Sequence, residues 1–183
     1  MSMLIARKKI IFFDGDGTIW YPKETKRTKP PYWIYGDTNS RKINYRVLKH
    51  LILSQSALAV LKKLKKMGMI LVLLSTHPHI PKIANIVLRR KLKHLGIEKI
   101  FDEYRPTAVA KNAKGKEIIK LLKKFKLSKA SALMVGDSYH YDYLSAKAVG
   151  VEAVLIKSDY LKQPARGPRV KKIINEISGL LIY

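Results

Sequence analysis

The hydrophobic pattern of the chain alternates between two kinds of segment. Short continuous apolar blocks recur at Ile10-Ile11-Phe12-Phe13, Ile70-Leu71-Val72-Leu73-Leu74, Ala132-Leu133-Met134-Val135 and residues 151–156. Each has the length and uniform character of a strand buried on both faces. Between them lie stretches whose apolar residues recur every three or four positions, as on one face of a helix. Residues 55–66 place Ala57, Val60, Leu61 and Leu64 on one face, with Ser54 as N-terminal cap and Gly68 as stop signal. Residues 81–95 form a second helical pattern, closed by Gly96, and a short strand is expected near Ile100-Phe101. Residues 116–126 form a third helix with Ile118, Ile119, Leu122 and Phe125 inward, and 143–149 a fourth, before Gly150. Residues 170–178 are expected to form a terminal helix. Residues 20–42 are broken by Pro and Gly and show no period, consistent with a short flap or hairpin.

Strands alternating with helices predict an α/β fold: a Rossmann-like parallel sheet with helices on both faces. At 183 residues the expectation is one domain, 1–183, with a small flap insertion at about 20–42 instead of a large cap. No apolar run approaches the length of a membrane span, and the apolar stretch of residues 1–9 is too short for a secretory signal, so a cytoplasmic protein without membrane partners is expected. The absence of Cys excludes disulfides, thiolate catalysis and Cys-based zinc sites. Two Gln amid abundant Lys fit a thermophilic source.

Charge changes the picture more. Lys and Arg number 37 against 13 acids, a formal net charge of +24. Such a surface attracts polyanions, nucleic acid or phosphorylated substrates. It is equally compatible with solvated helix faces, where the blocks Lys62-Lys63, Lys65-Lys66 and Lys123-Lys124 fall. Against that excess, four of the seven Asp cluster in two short motifs, Asp14/Asp16 and Asp137/Asp142. In an open parallel sheet, strand ends meet in one crevice, and Asp14, Ser75 and Asp137 each follow an apolar block. Period-two alternation points Asp14 and Asp16 the same way, and two such carboxylates repel unless a cation lies between them. An ordinary Asp-Gly turn is the competing reading.

Taken together, Asp14-Gly-Asp16-Gly-Thr18, Ser75 after Leu71–Leu74, Lys114-Gly115 opening a helix, and Gly136-Asp137 followed by Asp142 resemble the four motifs of the haloacid dehalogenase superfamily of phosphohydrolases. The resemblance spans roughly residues 9–157. It implies a Mg²⁺-dependent phosphatase acting on phosphate monoesters, with Asp14 as nucleophile forming an aspartyl-phosphate and Asp16 as general acid and base. It implies phosphate binding by Ser75, Thr76 and Lys114. It also implies metal binding by Asp14, the Asp16 carbonyl and Asp137, with Thr18 and Asp142 in support. The second Asp argues for phosphoryl transfer over carbon–halogen cleavage.

For the lysine of the third motif, Lys111 and Lys116 are neighbouring candidates to Lys114. His77 and His79, spaced around Pro78, suit a loop with a substrate contact better than zinc ligation, and His140 suits a surface role. Trp20-Tyr21-Pro22 and Pro30-Pro31-Tyr32 resemble the minimally capped, magnesium-dependent branch, whose open site accepts larger substrates. Trp20, Tyr32 and Trp33 serve either as flap residues or as packing. Two alternatives remain open: a nucleic-acid end phosphatase, and a basic nucleic-acid-binding protein on an inactive scaffold of this type.

Overall fold

A computed structural model describes residues 3–25, 45–158, 161 and 169–182. Strands β1 (Ile10–Phe13), β4 (Ile70–His77), β5 (Glu103–Ala108), β6 (Ala132–Gly136), β7 (Glu152–Ile156) and β8 (Ile173–Ile174) form one six-stranded parallel sheet, ordered β5-β4-β1-β6-β7-β8. The chain runs outward from β1 to β5, then returns to the other side of β1 with β6. The order reverses between β1 and β6, and there the loops leaving their carboxyl ends part to form a crevice.

Side-chain alternation divides the core in two. Ile11, Phe13, Leu71, Leu73, Leu133 and Val135 pack with helix α1 (Ala57–Lys66) and helix α2 (Pro81–His94). Ile10, Phe12, Val72, Leu74 and Met134 pack with helix α3 (Ala113–Lys124) and helix α4 (Ser145–Ala148). Both faces are therefore covered, which is why the strands are uniformly apolar. A two-stranded antiparallel hairpin, β2 (Trp20–Pro22) with β3 (Leu51–Leu53), follows β1, and the fully buried Trp20 packs into the α1/α2 side. The expected flap begins with this hairpin. Tyr32 and Trp33 lie outside the described residues. Among the described residues no helix is long and apolar enough to cross a membrane.

Several expected boundaries move. Strand β4 continues through Ser75 and Thr76 to His77, because the neighbouring β5 pairs with it residue by residue from Val72 to His77. The strand expected at Ile100-Phe101 is instead a single 3₁₀ turn, Glu98–Ile100, with Phe101 anchored in the core. The true strand, Glu-Tyr-Arg-Pro-Thr-Ala, lies just beyond it. As an edge strand it tolerates Pro106 and half-exposed polar residues, so it lacks an apolar run.

The terminal helix expected over residues 170–178 is replaced by β8, with helix α5 (Gly179–Ile182) after it. The apolar spacing of Ile173, Ile174 and Ile177 looks helical, but the open edge of β7 claims the backbone: Leu155 N donates to Lys172 O and Lys157 N to Ile174 O. Ser54 does not cap α1. Its hydroxyl donates to the Thr18 carbonyl at 2.8 Å, and Ser56, at φ 62°, takes the N-cap position. The helix expected from residue 143 begins four residues earlier as a π-helical turn, Tyr139–Leu144, before passing into α4.

Candidate active site

Strand β1 ends at Phe13, and the Asp14 amide still donates to Val135 O at 2.8 Å, tying the residue to the end of β6. Its carboxylate is buried and accepts from Lys114 Nζ at Oδ1. Lys114 comes from the first turn of α3, itself buried, and also donates to Asp142 Oδ1 at 2.5 Å. The other oxygen of Asp142 accepts from the backbone amides of Asp137 at 3.1 Å and Ser138 at 2.9 Å. This turn is tight enough that a Cβ on Gly136 would stand 2.1 Å from Asp142 Oδ2. The glycine of Gly136-Asp137 is thus required by close approach. The π-helical turn, capped by the Ser138 hydroxyl, carries Asp142 inward to meet it.

Asp14, Asp137 and Asp142 consequently present carboxylate oxygens within 4.8 Å of one another, all buried. Burial pushes the Asp14 carboxyl well above the usual range; Lys114 opposes this, while Asp142 and Asp137 add to it. Burial works to lower Lys114, but Asp14 and Asp142 reverse the balance and keep its ammonium charged. Three buried carboxylates, two of them paired to Lys114, form an oxygen-only donor set. That donor set suits a hard divalent cation such as Mg²⁺.

Asp16 is engaged from the other side. Lys91 of α2 donates to Oδ1 and Oδ2, each at 2.9 Å, and the Ser75 hydroxyl reaches Oδ2 at 3.4 Å. Lys91 Nζ also lies 5.7 Å from the centre of the Trp20 ring. Burial alone would raise the Asp16 carboxyl; the Lys91 ammonium outweighs it and holds it below its ordinary value. The expectation that Asp14 and Asp16 point alike is corrected here. Alternation ends with the strand, and the two carboxylates take different lysines, Lys114 of α3 and Lys91 of α2, from opposite faces of the sheet.

The remaining expected residues separate. Ser75 is fully buried on the α2 side of β4, next to Asp16. Thr76, expected to bind phosphate, instead sets its hydroxyl 3.3 Å from that of Thr107, its register partner on β5. Thr18 is fully buried and holds the turn through its carbonyl. Lys111 and Lys116 are exposed, which leaves Lys114 as the lysine at the aspartates, and His140 is exposed.

Lys91 was not anticipated. It occupies an inward position of α2, with Ala84, Val87, Leu88 and Leu92, so a charged residue inside a 3.6-residue apolar period was the available signal. His77, which the sequence places in a loop with a substrate contact, closes strand β4 instead. It is 3% exposed at the end of β4, and burial, followed by Lys91, drives its pKa down to about 3. The imidazole is therefore neutral.

A family model described as haloacid dehalogenase-like hydrolase matches residues 14–156. No curated protein matches the sequence. Solved structures share the architecture at low identity. A HAD phosphatase from Thermococcus onnurineus is 19% identical, with a TM-score of 0.65 over 94% of this chain and 97% of that one. A Bacillus subtilis protein described as a HAD-hydrolase bound to magnesium is 11% identical, with a TM-score of 0.70 over 96% and 98%. An uncharacterized protein from Listeria monocytogenes is 18% identical, with a TM-score of 0.68 over 95% and 97%.

Proposed function

The chain belongs to the haloacid dehalogenase-like hydrolases, and we propose that it is a Mg²⁺-dependent phosphatase that cleaves phosphate monoesters through an aspartyl-phosphate on Asp14. The observation that carries this reading is the convergence of Asp14, Asp137 and Asp142 around a single buried lysine, with Asp16 and Ser75 beside them. Mg²⁺ would be held by Asp14, the Asp16 carbonyl and Asp137, with Asp142 in support beside Asp14 and Asp137. When bound, it screens the phosphoryl oxygens from the attacking carboxylate. The small cap is part of this reading: a single domain, 1–183, with a flap insertion at about 20–42 that begins with the described hairpin strands. The Bacillus subtilis structure that holds magnesium gives the metal assignment a precedent of fold.

In this mechanism a phosphoryl oxygen takes a hydrogen bond from Ser75 while Lys114 offsets charge on Asp14. An Asp14 oxygen attacks phosphorus, and the ester oxygen leaves with a proton from Asp16. Asp16 then accepts a proton from water as that water attacks phosphorus of the acyl-phosphate, releasing inorganic phosphate and regenerating Asp14. The Lys91 pair favours the ionised form of Asp16, which suits the second step. For the first step the pair must open.

The test is hydrolysis of p-nitrophenyl phosphate with and without Mg²⁺. EDTA should remove turnover and Mg²⁺ restore it, and Asp137→Ala should abolish it or raise the Mg²⁺ requirement. Full activity after exhaustive chelation overturns the metal assignment. An end-phosphorylated oligonucleotide, assayed at low and high salt, decides the rival substrate class that the +24 charge raises. Turnover of it alone, lost steeply as salt rises, would favour the nucleic-acid end phosphatase.

A further inference from the structure

We propose that His77 contacts the leaving group of the substrate and selects phosphate monoesters whose leaving group carries a hydroxyl beside the ester oxygen. The inference rests on the phosphatase reading for the position of the leaving group, which lies at Asp16. His77 stands two residues beyond Ser75 on the same face of β4. Its electrostatic partners are Lys91, Asp16, His79 and Lys114, so the ring sits on the Asp16 side of the crevice. Its register partner on β5 is Ala108, which adds only a methyl group beside it.

Within that wall the cations are occupied. Lys91 is spent on both oxygens of Asp16, and Lys114 on Asp14 and Asp142. Nε2 of His77, in contrast, is buried and has no hydrogen-bond partner among the described residues. A buried ring nitrogen left without a partner is destabilising, and native structures seldom keep one without a purpose. A ligand atom would supply the missing partner. Because the ring is neutral and the adjacent ammonium is already paired, an uncharged oxygen fits this position better than a second anionic group. A hydroxyl serves either ring tautomer, since it both donates and accepts.

The experiment measures binding apart from turnover. In the Asp14→Asn background with Mg²⁺, affinities for 2-hydroxyethyl phosphate and ethyl phosphate are compared by calorimetry; the two ligands differ by one hydroxyl. The hydroxylated ester should bind about 5–10-fold more tightly, the worth of one hydrogen bond to a buried group. Adding His77→Leu should bring the ratio to about one. Adding His77→Gln, which keeps an amide within reach, should preserve much of the preference. Equal affinities in the Asp14→Asn protein, or a preference that survives His77→Leu, would overturn the inference. Failure of the phosphatase reading would show separately, as wild-type protein that hydrolyses neither ester.

Discussion

Two buried lysines divide the labour at the centre of this protein. Lys114 is shared by Asp14 and Asp142, while Lys91 is committed to Asp16. The first was legible in the sequence, because Lys-Gly opening an amphipathic helix resembles a family motif. The second belongs to no such motif, and only its charged side chain inside the apolar period of α2 marks it. The spacing of His77 and His79 around Pro78 suits a loop with a substrate contact, yet cross-strand pairing to Ala108 extends the strand through His77. Its burial has a consequence for acid stability. The unfolded imidazole takes up a proton below about pH 6.5, while the folded one does so only near pH 3, so stability is lost as pH falls between them. Between pH 7 and pH 5, wild type should lose about 2 kcal/mol relative to His77→Gln, at roughly 1.4 kcal/mol per unit below pH 6.5. Urea denaturation of both proteins at the two pH values measures this. Parallel behaviour would mean that the ring titrates normally.

Among the elements, α3 and the π-helical turn work as a pair. Gly115 lies so close to the start of α4 that an added Cβ would meet the Ser145 carbonyl oxygen at 2.5 Å, and its amide donates to Ser145 Oγ at 2.9 Å. That approach is what lets Lys114, one residue earlier, reach Asp142. Gly115→Ala must push one backbone from the other. It should cost about 1–3 kcal/mol of stability, as overpacking does, and lower kcat/KM at least tenfold as Lys114 is displaced. Thermal unfolding and steady-state kinetics on the same preparation check both, and an unaltered kcat/KM would show that Lys114 reaches the aspartates without this contact. The central strands and the three longer helices were readable from period alone. The edge strands β5 and β8 were not, because their pairing depends on a neighbour's free backbone groups and not on an apolar run. The π-helical turn has no apolar run; its buried Tyr139 and Tyr143 lie among polar residues, and the spacing of Asp137 and Asp142 marks it more plainly.

Over the whole molecule, the reversal of strand order between β1 and β6 brings Asp14 and Asp137 together at one crevice. This much followed from the alternation of strands and helices before any contact was known. What sequence periodicity could not supply was the pairing of the two N-terminal aspartates with lysines from opposite faces of the sheet, because the turn after β1 ends the alternation. The chain carries a formal net charge of +24 while its buried centre is rich in carboxylates, and such a positive excess draws anionic esters toward the protein. The central claim is that Asp14 carries the phosphoryl group between substrate and water. Acid-quenching the wild-type protein during turnover, followed by peptide mass spectrometry, tests it most directly. The account predicts a hydroxylamine-labile phosphoryl group on Asp14, absent from Asp14→Asn, which should also show no turnover. A phosphoryl group on another residue, or appreciable turnover by Asp14→Asn, would contradict it.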